Sequence, residues 1–411
     1  MPEKRIVLKN CEVIDPKSLD TYLERGGFKA LVKARDGMSP ESVIEEVKAS
    51  GLRGRGGAGF PCGLKWELAR TTPADEKFLI CNADEGEMGT FKDRYIIQHD
   101  PFTLIEGMAI AAYAIGGSKA YIYLRAEYRY LLDGLKGAIE QVRARGLLRD
   151  LDIEIRQGAG AYVCGEESAL MNSIEGKRGE ARYRPPFPPS IGLFGKPTII
   201  NNVETLANIA PILLNGASWF DAIGTQKSKG TKVFSVSGDV ERPGVYELTM
   251  GSSLKELVFD KAGARNVRAV QVGGAAGRII PNTRMDISLS FETVLGSGAV
   301  TVFDENRDLI DMIYRTMEFF AEESCGKCAP CREGTQVMIE VLGRLAKGEG
   351  SDGDMGILED LSKVMSASSL CGLGQGAPVP VMDTLRDFRG DYENRIRQSL
   401  YLKSLSGAQR G

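Results

Sequence analysis

The sequence predicts an α/β protein of several domains: a parallel sheet first, a small α+β unit next, and a helical end. Three observations predict it. Between residues 77 and 157 apolar strand patterns alternate with helical ones, which is the pattern of a parallel sheet with crossover helices. Over 231–304 short strand patterns follow one another with little helix between them. From 305 onward apolar residues recur at helical spacing, and four of the eight cysteines fall there.

In chain order, Ser39 and Pro40 open a helix as cap and first turn. Val43, Ile44 and Val47 recur on one face of it, and Gly51 closes it. A glycine loop follows in "GLRGRGGAGFPCGLKW" (51–66), with Gly54-x-Gly56-x-x-Gly59 flanked by Arg53, Arg55 and Lys65. "KFLIC" (77–81) is a strand running into "NADEGE". Then come a helix near 103–115, the strand "AYIYL" (120–124), a helix near 128–145 and the strand "DIEIRQ" (152–157). The most apolar stretch, 105–124, is interrupted by Glu106 and Lys119, so it reads as a buried helix and a strand. A membrane span needs about 20 nearly uninterrupted apolar residues. After a change of character at 215–230, "TKVFSVSGDV", "GVYEL", "AVQVGG" and "VTVFD" are the strands of the small unit. "LIDMIYRTMEFFAEES", "TQVMIEVLGRLAKG" and "MGILEDLSKVMSASS" are the helices of the end, and the closing "SLSGAQRG" is expected to be loose.

Composition narrows the function classes. The 411 residues carry 43 % hydrophobic and 26 % charged side chains and a net charge of −3. That is ordinary for a globular protein and lacks the basic excess of a nucleic-acid binder. No secretory leader is visible in "MPEKRIVLKN", so a cytoplasmic chain is expected. Glycine is abundant, 49 residues against about 7 % in average usage. It gathers in 51–63, 158–165 and 273–277, between periodic segments, as in backbone-lined ligand loops.

The cysteines carry the strongest chemical signal. Cys325, Cys328 and Cys331 form a C-x2-C-x2-C run in "ESCGKCAPCREG", and Cys371 follows far downstream in "SSLCGLG". Three closely spaced thiolates and a remote fourth are the ligand pattern of a [4Fe–4S] cluster. Zinc more often takes two separated pairs, commonly with histidine, and the single histidine, His99, is remote. Cys11, Cys62, Cys81 and Cys164 share no ligand spacing and read as small buried hydrophobes.

The Gly54 loop lacks the preceding strand of a dinucleotide fingerprint. Its free N–H groups and flanking cations still suit a phosphate, the alternative being a solvated basic turn. Asn82, Asp84, Glu85 and Glu87 follow a strand, where α/β proteins place ligand groups. Gly160, Tyr162, Gly165, Glu166 and Glu167 lie in a second glycine loop, and "GKPTIINNVETLAN" adds Asn201, Asn202 and Thr205. Singly each is a capped turn; together they describe a carboxylate-rich pocket beside a phosphate loop.

Five stretches, "GLRGRGGAGFPCGLKW", "CNADEGE", "GAGAYVCGEESAL", "GKPTIINNVETL" and "ESCGKCAPCREG…CGLG", occur in this order along nearly the whole chain. The sequence resembles the flavin- and NADH-binding 51 kDa (F) subunit of respiratory complex I. It is equally similar to the beta subunits of NAD-linked hydrogenases and formate dehydrogenases. The resemblance implies an N-terminal segment (1–54), a Rossmann-like FMN- and NADH-binding domain (55–222), a ubiquitin-like domain (223–304) and a helical [4Fe–4S] domain (305–411). It implies hydride transfer from NADH to FMN and single-electron passage to the cluster. Partners would be a thioredoxin-like [2Fe–2S] subunit and a larger iron–sulfur subunit, and such a complex would tether the chain to a membrane only indirectly.

By the same resemblance Gly54, Gly56, Lys65, Asn82, Asp84, Gly165, Asn201 and Asn202 surround FMN. Phe60, Glu87, Glu167 and Phe187 hold NADH, and Glu85, Tyr162 and Glu166 line the shared pocket. Lys65, Glu85 and Glu87 are the candidate catalytic residues, Lys65 by stabilising anionic reduced flavin. The sequence departs from the family pattern at Cys62, Leu68, Met88 and Arg184. Two other readings stand: a diaphorase subunit reducing NAD+, and a structural zinc scaffold with a degenerate flavin pocket.

Overall fold

The computed structural model describes residues 5–408. Four strands, β1 (Phe78–Ala83), β2 (Lys119–Leu124), β3 (Asp152–Gln157) and β4 (Thr198–Asn202), form an all-parallel sheet in the order β3-β2-β1-β4. Three of these match strands expected from the sequence, β3 to the residue. The fourth was not expected, because "TIINN" is short and ends in two amides, which are poor strand formers. Pairing supplies what propensity lacks: β4 runs beside β1 from Phe78↔Thr198 to Asn82↔Asn202.

Side chains alternate between the two faces of this sheet. Leu79, Cys81, Ile122 and Leu124 enter one apolar core, with the helix Pro101–Ile115 packed across it. Asp100 caps that helix, accepting from Thr103 N at 3.0 Å. Glu106 lies inside it; burial raises its carboxyl, and this is opposed by the hydrogen bonds it accepts from Tyr22 Oη (2.6 Å), Phe28 N (2.9 Å) and Leu31 N (3.1 Å). The two backbone amides flank the start of the helix Lys29–Gly37, where a negative charge is favoured.

A second sheet contains β5 (Thr231–Gly238), β6 (Gly244–Thr249), β7 (Val267–Val272), β8 (Arg278–Pro281) and β9 (Ala299–Asp304), in the order β6-β5-β9-β7-β8. Only β5 and β9 pair in parallel. Within the unit this is second, first, fifth, third, fourth, the ubiquitin-like order. It has its own core around Phe234, Leu257, Val270 and Val302.

The helical end comprises Leu309–Glu323, Ala329–Ala346, Asp354–Ser368, Gly372–Gly376, Val379–Asp387 and Arg389–Ala408. The last helix continues through most of the tail expected to be loose; residues 409–411, like 1–4, lie outside the described residues. The core of this end is continuous with the other face of the parallel sheet: Ile80, Tyr123, Val163 and Leu170 share one apolar cluster with Met317, Phe320, Met338 and Met365. That continuity brings the cysteines to the sheet. Among the described residues no helix is long and apolar enough to cross a membrane.

Candidate functional site

In a sheet of this order the chain switches sides between β1 and β4, and ligands sit in the crevice outside the carboxyl ends of such a pair. Asn82 and Asp84 close β1 there, and Asn201 and Asn202 close β4. The Gly54 loop lies on the same crevice. It closes on itself through Gly54 N to Phe60 O (2.9 Å) and is pinned by Arg55 N to Thr205 Oγ1 (2.8 Å). A Cβ on Gly56 would stand 3.1 Å from Asn202 Cβ, so the loop and the end of β4 are in van der Waals contact. It joins the helices Pro40–Ala49 and Cys62–Thr71, and so is not a Rossmann turn, which follows a strand.

The three flanking cations have different fates. Arg55 is buried and turned away, donating to the carbonyls of Thr231 (3.1 Å), Arg53 (3.1 Å) and Lys229 (2.5 Å). It ties the loop to the ubiquitin-like unit. Arg53 stacks on Phe291 at 4.0 Å. Lys65 alone of the three points to the carboxylates of the site, with Nζ 3.3 Å from Glu167 Oε2 and 3.2 Å from Ile200 O.

Asp84 is the least satisfied group in the crevice. It is 7 % exposed, and neither carboxylate oxygen has a hydrogen-bond partner. Burial pushes its carboxyl up to about 7, opposed by Arg125 and reinforced by Glu127 and Glu323. Arg125 Nη1 is likewise buried and unpartnered. Sequence reasoning missed Arg125, although it directly follows β2 at the carboxyl end of the sheet, where ligand groups gather. Glu85 is placed differently: it accepts from Asp93 N (2.8 Å), Arg94 N (3.0 Å) and Tyr128 Oη (3.0 Å), so its carboxylate caps the helix Lys92–His99. Burial, with Asp93 adding, raises its carboxyl.

Glu87 accepts from Tyr162 Oη (2.7 Å) and Ala275 N (2.6 Å), and burial raises its carboxyl. Glu166 caps the helix Glu167–Ile174 by accepting from Ser168 N and Ala169 N, both at 3.0 Å, and is paired with Arg184. Glu167 stands between Lys65 at 3.3 Å and Arg184 at 3.2 Å. Several apolar side chains of these segments are open to solvent. Phe60 is 44 % and Phe187 54 % exposed, with Leu64 and Leu68 also open. Open aromatics of this kind are available to stack a planar ligand; as core residues they would be covered.

The two amides of β4 are structural anchors as well as crevice residues. Asn201 Oδ1 accepts from Trp66 Nε1 (2.9 Å). Asn202 Oδ1 caps Glu204 N (3.0 Å) and its Nδ2 donates to Asp93 Oδ2 (2.6 Å). Beneath them Lys92 pairs with Asp93 (2.7 Å) and Glu204 (2.9 Å), and Lys232 with Glu204 (2.5 Å), all buried. No sequence pattern announces this ion cluster, since its members come from three separate elements.

Cys325, Cys328, Cys331 and Cys371 line one pocket, together with Val163, Ala181, Leu370, Leu373, Ser324 and Lys327. The thiols surround a volume and do not converge on a point: among the described residues no three His, Cys, Asp or Glu gather closely enough to hold a single ion. Burial pushes the Cys331 thiol up to about 11, with its three neighbours adding to it. Cys11, Cys62, Cys81 and Cys164 are all buried and free, as small core residues are.

The turn Tyr162–Gly165 separates the two places. Val163 lines the thiol cavity, while a Cβ on Gly165 would stand 3.5 Å from Asp84 O.

Residues 47–211 match the Nuo51 FMN-binding domain family, and residues 311–395 the NADH-ubiquinone oxidoreductase-F iron–sulfur binding region. The chain is 44 % identical over 411 residues to the second F-type NADH-quinone oxidoreductase subunit of Rhizobium meliloti (strain 1021), covering 96 % of this chain and 98 % of that one. It is also 44 % identical over 410 residues to the NADP-reducing hydrogenase subunit HndC of Solidesulfovibrio fructosivorans, covering 95 % of this chain and 83 % of the other. The crystal structure of an NAD+-reducing [NiFe]-hydrogenase in the air-oxidized state superposes with a TM-score of 0.87 at 41 % identity, covering 96 % of this chain and 67 % of that chain.

Proposed function

Because the chain belongs to the F-type family of FMN- and iron–sulfur-dependent NADH oxidoreductases, we propose that its switch-point crevice holds FMN, its open aromatics Phe60 and Phe187 NADH, and its four-thiol pocket the cluster. The observation that carries the reading is the shared partition: one short turn walls both the crevice with the unpartnered Asp84 and the cavity with the thiols. Both places fit their groups. Two free carboxylate oxygens suit the hydroxyls of a sugar-like chain, and a glycine loop without side chains leaves room for a phosphate. Four thiols around one pocket suit a cube. Bound flavin supplies the exchange between hydride and single-electron chemistry, which no side chain performs.

The residues then divide the work. Gly54 closes the loop, the backbone N–H groups from Gly56 to Gly59 face the phosphate, and Lys65 would offset negative charge on the reduced ring. Asp84 and Asn82 hold hydroxyls. Phe60 and Phe187 stack the adenine, and Glu87 and Glu167 meet the riboses. Asn201 and Asn202 set the floor, Gly165 leaves it open, and Tyr162, Glu85 and Glu166 fix the neighbouring backbone. Cys325, Cys328, Cys331 and Cys371 ligate iron.

Glu167 sets nucleotide preference in this reading. A carboxylate beside the adenosine ribose repels a 2′-phosphate, although the names of the relatives divide between NAD and NADP. Glu167→Ala is expected to raise the NADPH-to-NADH ratio of kcat/KM about tenfold. An unchanged ratio removes Glu167 from that role.

Relatives are subunits of multisubunit enzymes, and the thiol cavity gives electrons an exit that must meet another chain. The partners in this reading are a thioredoxin-like [2Fe–2S] subunit and a larger iron–sulfur subunit, in a cytoplasmic or peripheral complex. Affinity isolation of the tagged chain from its native cell under argon, with identification of the chains that accompany it, tests this. Recovery of the chain alone contradicts it.

A further inference from the structure

Glu87 is tied on both sides to the arms that carry the cluster ligands. Its Oε2 accepts from Tyr162 Oη at 2.7 Å. Tyr162 in turn donates its backbone N–H to Glu323 Oε2 at 2.8 Å and rests its ring 5.2 Å from that of Phe319. Both belong to the helix Leu309–Glu323, which ends just before Cys325. The Oε1 of Glu87 accepts from Ala275 N at 2.6 Å. Next to it, Ala276 packs so closely on Gly376 that a Cβ there would come within 2.8 Å. The helix Gly372–Gly376 begins directly after Cys371.

The loop 273–277 has no slack to absorb movement. Gly274 has φ +85°, and a Cβ on it would stand 2.1 Å from Glu87 Cγ. Gln271 Nε2 holds Ala275 O at 3.1 Å. The ubiquitin-like unit is fixed to the helical end by Arg278, which donates to both oxygens of Asp383 at 2.7 and 2.8 Å. Groups packed this tightly transmit a displacement to their neighbours.

We propose that Glu87 mechanically couples the dinucleotide pocket to the iron–sulfur cage, through Tyr162 to the Cys325 arm and through the loop 273–277 to the Cys371 arm. The proposal rests on the reading that Glu87 faces the dinucleotide. A substrate that draws the carboxylate away from Ala275 and Tyr162 loosens both arms together. The glycine run of this loop therefore serves as a carboxylate clamp, and the ubiquitin-like unit as a splint between the two centres.

The test uses the holoenzyme reduced with dithionite, so that no nucleotide takes part. Wild type, Glu87→Ala, Glu87→Gln and Ala276→Gly are compared by EPR of the reduced cluster and by hydrogen exchange of the amides of 324–331 and of 371–376. NADH affinity is measured separately. Glu87→Ala is expected to shift the g values, speed exchange at 324–331 and 371–376 by about threefold or more and weaken NADH binding. Glu87→Gln, which keeps the shape, stays near wild type in EPR and exchange. Ala276→Gly trims only the contact with Gly376 and tests the second arm should Glu87→Ala fail to fold. Wild-type EPR and exchange in Glu87→Ala and Ala276→Gly overturn the coupling, even where NADH binding weakens. Altered EPR with unchanged NADH affinity overturns the pocket role of Glu87 and leaves a purely structural brace.

Discussion

Cys371→Ser is expected to remove nearly all iron and acid-labile sulfide from the purified protein while FMN remains bound. The pocket is lined by four thiols, and its remaining walls, apart from Ser324 and Lys327, are apolar, so they offer no other thiolate as fourth ligand. Cys371 precedes the helix Gly372–Gly376; burial raises its thiol, and the N–H groups of Leu373 and Gly374, which point to its sulfur, oppose that rise. A serine hydroxyl holds its proton far more tightly and is a poor iron ligand at neutral pH. The crevice at β1 and β4 uses other donors, hence the separate fate of FMN. Iron, sulfide and flavin analysis on one sample checks this. Full iron content in the variant contradicts the ligand set.

Asp84→Asn is expected to change both the flavin-free protein and its affinity for FMN, with opposite signs. In the flavin-free fold, burial raises the Asp84 carboxyl from its ordinary 3.8 to about 7. The folded state therefore holds this proton more tightly than the unfolded chain, so the associated stability is present in full below about pH 4 and lost as pH rises through about 7. Asparagine does not titrate. Flavin-free Asp84→Asn should melt about 5 °C above wild type at pH 8 and level with it near pH 4.

Flavin hydroxyls donating to the two free oxygens favour the ionised form. Wild-type affinity for FMN should then climb about tenfold per pH unit below pH 7 and level off above it. Asp84→Asn should show a flat profile and bind about ten- to a hundredfold more weakly at pH 8. Fluorescence titration over pH 5.5 to 8.5 measures both curves. A flat wild-type curve takes Asp84 out of the flavin site.

What the sequence disclosed follows from how local each signal is. β1, β2 and β3 were legible because each is an apolar run bounded by turn residues. β4 and β8 were not, the first because "TIINN" owes its extension to pairing with β1, the second because it has only four residues. The cysteine ligands were legible from spacing. The glycine loop was legible as an anion cradle, but the inward turn of Arg55 was not, since its acceptors lie on the ubiquitin-like unit far along the chain. Glu85 and Glu87 sit two positions apart in one acidic turn, yet one caps a helix and the other is clamped by Tyr162 and Ala275. Only tertiary packing separates them. In the glycine run 273–277, Gly274 and Ala275 pack on the Glu87 carboxylate.

In the proposed function one turn, Tyr162–Gly165, divides a flavin crevice from an iron–sulfur cage at a distance single electrons can cross. Anaerobic mixing of the isolated chain with NADH, followed by freezing for EPR and by absorbance of the same sample, tests it most directly. Wild type should show flavin bleaching together with the signal of a reduced [4Fe–4S] cluster, and Cys371→Ser bleaching alone. Bleached flavin in a wild-type sample of full iron content that never shows the cluster signal contradicts it.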